Sequence, residues 1–133
     1  MYQRRETLPS DFLMIKANKF LSKEDKSLVI NCWGLYQAET LLKGQEIIAI
    51  ATFSEFHTKL YRSGIVIKQD VSITDLKEIK KFITQVIIDN KADYVYSECV
   101  TCKVRDRFHK FLGFEIEKDL ESFKKWKFRN LKY

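Results

Sequence analysis

One proline, four glycines and three cysteines in 133 residues leave several classes of protein out of reach. So little proline and glycine excludes collagen-like repeats and Gly/Pro-rich low-complexity chains. The odd cysteine count, Cys32, Cys99 and Cys102, argues against a disulfide framework and for a reducing, cytoplasmic setting. No apolar run approaches the ~20 residues of a membrane span, and the start Met1-Tyr2-Gln3-Arg4-Arg5-Glu6 has no apolar stretch behind it of the kind a secretory signal carries. Walker-type phosphate loops, G-x-S-x-G elbows and H-E-x-x-H are missing. What the chain does have is core material: 45% hydrophobic residues, with ten Phe, six Tyr and two Trp. That composition and length predict one globular domain over residues 1–133.

The formal charge of +6 is uneven. Up to Cys102 there are 14 basic and 13 acidic residues; from Lys103 on there are 10 and 5. Two clusters carry the excess, Lys103, Arg105, Arg107 and Lys110, then Lys124, Lys125, Lys127, Arg129 and Lys132. The second interleaves with Phe123, Trp126, Phe128 and Tyr133, a composition that suits phosphate contact and base stacking. An edge strand with an aromatic inner face and a Lys-rich outer face has the same pattern, so both readings stand.

Apolar residues at Leu76, Ile79, Phe82, Ile83, Val86 and Ile87 predict a helix over about Ser72 to Asn90. Ser72 with Asp75 three residues on resembles a capping box, and Asn90 suits the left-handed position that ends a helix. A second helix over about Cys102 to Leu112 would put Val104, Phe108, Phe111 and Leu112 on one face, with Gly113 just past its end. Strands are expected at Ala92–Glu98, Phe114–Glu117, Phe123–Phe128, Gln45–Phe56 and Lys59–Lys68, the last two joined by a turn at Glu55–Thr58. Thr40–Lys43 reads as a short strand, and Ser10–Leu21 and Lys23 to about Ala38 read as helices, with an extended strand over Ser27–Tyr36 the alternative for the second. The order β, α, α, β, β, β, α, β, α, β, β predicts an α/β mixed sheet with helices on both faces.

This order of elements, with the segment Arg107-Phe108-His109-Lys110-Phe111-Leu112-Gly113-Phe114-Glu115 and the opening Arg4–Phe12, resembles the GNAT superfamily of acetyl-CoA-dependent N-acetyltransferases. A looser similarity is to small acetyltransferase-like proteins of tailed phages. The resemblance implies a mostly antiparallel central sheet with splayed strands four and five, acetyl-CoA in the gap near Ile67 and Tyr96, and its pyrophosphate on amides at the start of the long helix. The corresponding loop here is Gln69-Asp70-Val71-Ser72-Ile73-Thr74, with Ser72 and Thr74 where the family has small residues and Asp70 adding a negative charge. The resemblance further implies cofactor contacts at Gln69, Ser72, Ile73, Thr74, Cys102 and Arg105. Its proton-transfer positions fall on Glu98 or Glu55 as base, with Tyr96 as a polar alternative, and on His109 as acid, where the family has Tyr.

Two functional expectations result. One is acetyl transfer from acetyl-CoA to an amine, a protein being one source of that amine. The other is a catalytically silent module of the same fold that binds a protein or a nucleic acid through Lys124, Lys125, Lys127 and Arg129. Cys99-Val100-Thr101-Cys102 lies where thioredoxin-like proteins keep a redox pair, yet the single proline, Pro9, is far upstream of it. Four ligands for zinc would have to be Cys99, Cys102, His109 and His57, whose spacing is not that of a finger, so no metal is expected. A helix N-terminus at Cys102 would lower its thiol pKa.

Overall fold

The computed structural model describes residues 2–15, 37–68 and 70–130. Its elements are β1 (Tyr2–Glu6), α1 (Asp11–Met14), β2 (Gln37–Lys43), β3 (Glu46–His57), β4 (Leu60–Ile67), α2 (Ile73–Asp89), β5 (Tyr94–Val100), α3 (Lys103–Leu112), β6 (Glu115–Asp119) and β7 (Phe123–Arg129). The strands are ordered β1-β2-β3-β4-β5-β7-β6. Pairing is antiparallel except between β4 and β5, where Leu60, Tyr61 and Arg62 run parallel to Tyr94, Val95 and Tyr96. This is the mixed α/β sheet that the order of elements predicted. The described residues group into two compact units, Met1–Ser54 with Gly64–Phe82, and Glu55–Ser63 with Ile83–Tyr133.

In the first unit, Ile47 to Phe53 of β3 are buried without a break, so both faces of that strand are covered. Phe12 and Ile15 of the α1 segment share one buried cluster with Ile47, Ile50 and Val66. The entry into α1 is held by a buried carboxylate. Asp11 accepts two hydrogen bonds from the Arg5 guanidinium at 2.7 and 3.0 Å, one from the Leu8 N–H at 2.9 Å and one from the Thr40 hydroxyl at 2.9 Å. Burial alone would raise the Asp11 pKa, but these donors hold it below the ordinary value.

In the second unit β7 lies between β5 and β6, with Ser97 opposite Trp126 and Glu115 opposite Lys127. The basic aromatic strand is therefore interior to the sheet, and the edge strand is β6, all five of whose residues are exposed. Gly113 has φ +99° and closes α3, as its position past the helix predicted.

Several expectations shift. Gln37 and Ala38 open β2 instead of closing a helix, α1 ends at Met14 with Ile15 already extended, and the rest of both expected helices lies outside the described residues. The β3–β4 turn is Thr58-Lys59, with Lys59 at φ +60°, so Glu55 lies in β3 itself. At the end of α2 the left-handed residue is Lys91, φ +53°, and Asn90 caps through its side chain, donating to the Val86 carbonyl at 2.8 Å. On α3 the buried residues are His109 and Leu112, whereas Val104 and Phe111 are exposed. The reason is tertiary: α3 covers the Trp126 side of β7, and that direction selects a different arc of the helix than apolar spacing does.

Candidate functional site

Side chains alternate across a strand, so β5 divides the expected catalytic residues between two faces. Val95 and Ser97 point to one face and Tyr94, Tyr96 and Glu98 to the other. The register carries the division into β7, whose Phe128, Trp126 and Lys124 share the first face, while Arg129, Lys127 and Lys125 share the second.

His109 lies on the first face. Its Nε2 accepts from the Ser97 hydroxyl at 2.9 Å when Nδ1 donates to the Arg105 carbonyl at 2.7 Å. The ring stacks on Trp126 at 4.9 Å and 7° between planes, and meets Phe114 edge-on at 5.5 Å. Burial in this apolar setting lowers its pKa, so the imidazole is held neutral with both nitrogens engaged. That is the chemistry of a core residue, and an acid role would require a proton and an exposure that this packing opposes. Lys124 is on the same face, paired with Asp106 at 2.5 Å and largely buried.

Tyr96 and Glu98 lie on the opposite face, in a row of charges and rings. Arg62 approaches Glu98 at 3.8 Å and covers the Phe56 ring at 5.5 Å from its centroid. Lys125 and Lys127 each lie 4.7 Å from a ring centroid, over Tyr96 and Tyr94 respectively. Glu98 is exposed and reachable; Glu55 is tied to the hairpin, accepting from the Lys59 N–H at 3.1 Å. Cys102 is the N-cap residue of α3, and the main-chain N–H groups of Arg105 and Val104 lower its thiol pKa. Arg105 lies in the first turn of the same helix.

The start of α2 belongs to the first unit, as do Ile67, Ser72, Ile73 and Thr74; Gln69 lies outside the described residues. Here the expected capping box is formed. The Asp75 N–H donates to Ser72 Oγ at 3.0 Å and the Ser72 N–H to the Asp75 carboxylate at 3.4 Å. Two residues that sequence reasoning missed complete it. The Tyr2 hydroxyl donates to Asp75 at 2.6 Å and Lys43 donates at 3.4 Å, from β1 and β2. The Tyr2 bond, first among these, keeps the Asp75 carboxyl below its ordinary pKa and pushes the Tyr2 phenol up to about 12. No local signal could have named Tyr2 or Lys43, since both reach Asp75 across the fold.

No family model matches the sequence, and no curated protein does. Solved structures do match. A protein assigned to the GNAT family from Desulfovibrio desulfuricans superposes with a TM-score of 0.79, covering 98% of this chain and 99% of its own at 12% identity. The Campylobacter jejuni N-acetyltransferase PseH, solved with acetyl coenzyme A, gives 0.67 over 97% and 99% at 11% identity. The Escherichia coli ribosomal-protein-S18-alanine N-acetyltransferase gives 0.71 over 97% and 94% at 12% identity. The chain has the GNAT fold.

The GNAT fold raises the question of whether the start of α2 can take a pyrophosphate. Four first-turn N–H groups of a helix lack intrahelical partners and can face an anion. Here the capping box engages those of Ser72 and Asp75, and the exposed Ile73 and Thr74 contribute the remaining two. The turn fits an anion at two amides, beside an ionised carboxylate that a glycine-rich loop would not bring. Among the described residues no group of three His, Cys, Asp or Glu side chains converges, and no helix is long and apolar enough to cross a membrane.

Proposed function

We propose that this chain is an acetyl-CoA-dependent N-acetyltransferase acting on an amine, which a protein can supply. The observation that carries the reading is the agreement of fold over nearly the whole chain with acetyltransferases, one of them solved with acetyl coenzyme A. The coenzyme supplies an activated thioester. Ile73 and Thr74 would hold phosphate through main-chain N–H groups at the positive end of a 17-residue helix. Glu98 would accept the proton that the amine loses as its nitrogen bonds to the acetyl carbon, with Tyr96 beside it on the same face of β5 as a polar partner; the C–S bond would break and the coenzyme's sulfur would leave and take a proton from solvent. His109 takes no part, because its neutral ring is committed to Ser97 and Arg105.

Calorimetry and thermal shift with acetyl-CoA test the proposal. Saturable heat and a rise in melting temperature are expected; neither at millimolar coenzyme would remove the enzyme reading. With binding established, Glu98→Gln should abolish transfer to amine acceptors while leaving coenzyme affinity unchanged.

A second reading is a catalytically silent module on the GNAT fold, and Asp75 favours it. Two like charges about 5 Å apart repel by on the order of 3 kcal/mol at an effective dielectric of 20. That exceeds the ~0.3–1 kcal/mol that a helix terminus offers an anion. Lys43 offsets part of the repulsion. If Asp75→Ser gains coenzyme affinity that the natural chain lacks, the silent reading holds.

A further inference from the structure

Beside the Tyr96 and Glu98 assigned to acetyl transfer, the same face of β5 and β7 carries a row of cations, Lys125, Lys127 and Arg129, that neither acetyl transfer nor folding requires. Arg129 stands directly opposite Tyr94, and Lys127 opposite Tyr96 while its ammonium lies over the Tyr94 ring. Arg129 is exposed and Lys127 half-buried, and among the described residues neither pairs with a carboxylate. Lys125 approaches Glu117 only at 4.0 Å.

We infer that this face is a docking surface for an acidic peptide segment in an extended conformation. The cations occur at every second residue of one strand, so they repeat at about 6.6 Å, which is also the repeat of alternate side chains in an extended peptide. An ammonium has three donors, and one resting on a ring still has N–H groups turned away from that ring for an incoming carboxylate. A single-stranded nucleic acid fits less well. It needs bare aromatic faces for its bases, and here Lys125 and Lys127 cover Tyr96 and Tyr94. Lys124, which the sequence grouped with these cations, is on the other face against Asp106 and contributes nothing to this surface.

The test is fluorescence anisotropy of the full chain with two labelled probes of equal charge, a peptide of alternating Glu and Ser, and oligothymidylate. The peptide should bind saturably and more tightly than the oligonucleotide. The double substitution Lys127→Gln with Arg129→Gln should weaken peptide binding about tenfold, since each lost partly exposed charge contact contributes a few-fold. The charge-matched pair Lys103→Gln with Lys110→Gln on α3 should change it by no more than about twofold. Absent peptide binding, equal loss in both double variants, or tighter oligothymidylate binding each overturns the inference. The assay needs no coenzyme, so it stands or falls apart from acetyl transfer.

Discussion

Acidification should weaken the packing around His109 before Asp11 or Asp75 is protonated. Burial lowers the folded-state pKa of this imidazole below its ordinary value of 6.5. Below that value the unfolded chain binds a proton that the folded chain refuses, so stability is complete above pH 6.5, falls as the pH drops through the window beneath it, and levels off below the folded pKa. One proton sets the ceiling on the slope, about 1.4 kcal/mol per pH unit. Asp11 and Asp75, whose folded values are depressed from 3.8, lose their contributions only further down, so the His109 window opens first as the pH falls. His109→Phe retains a ring to stack on Trp126 and removes the titration. It also strands the buried Ser97 hydroxyl, which should cost about 1–3 kcal/mol at neutral pH. The assay is urea unfolding, read by tryptophan fluorescence, at intervals from about pH 7.5 to about pH 5. The natural chain should slope and His109→Phe should be flat, while His57→Gln, at an exposed position, should follow the natural chain. A flat natural chain, or a variant that slopes equally, would refute the account of His109 as a neutral core residue.

Removing the buried carboxylate in Asp11→Ala leaves the Arg5 guanidinium, the Leu8 N–H and the Thr40 hydroxyl without their acceptor, and a loss of about 3–5 kcal/mol in urea unfolding is expected. Asp75→Asn should bring the Tyr2 phenol down from about 12 toward 10, visible in an ultraviolet titration of tyrosinate, because the charged acceptor that raised it is gone. A Cβ at Gly64 would lie 2.8 Å from Thr52 Oγ1, the atom that donates to the Gly64 carbonyl at 3.1 Å. Gly64→Ala should therefore destabilise by about 1–3 kcal/mol, and an unchanged thermal midpoint would show that Thr52 moves aside freely.

Features set by neighbours along the chain were legible before the fold was. The apolar spacing of α2 has a physical counterpart in the burial of Ile79, Phe82, Ile83, Val86 and Ile87. The Ser72–Asp75 box and the left-handed Gly113 involve contacts within one turn of helix, so residue type at fixed spacing was enough to expect them. Asn90 shows where local reasoning blurs, since its amide reached back to Val86 and passed the left-handed position to Lys91.

From Thr40 on, sequence by itself determined the types of element and their order, and with them the mixed sheet, because hydrophobic period and capping chemistry act over a few residues. It also located the excess charge in the last 31 residues. Tertiary structure alone decided which side of each element meets what. The insertion of β7 between β5 and β6 turned an expected edge strand into an interior one and divided its lysines between two faces. His109 became a buried neutral ring, and Tyr2 and Lys43 joined Asp75 from 73 and 32 residues away. These outcomes depend on strand order and on burial, which arise from contacts distant in sequence, and no spacing along the chain encodes them.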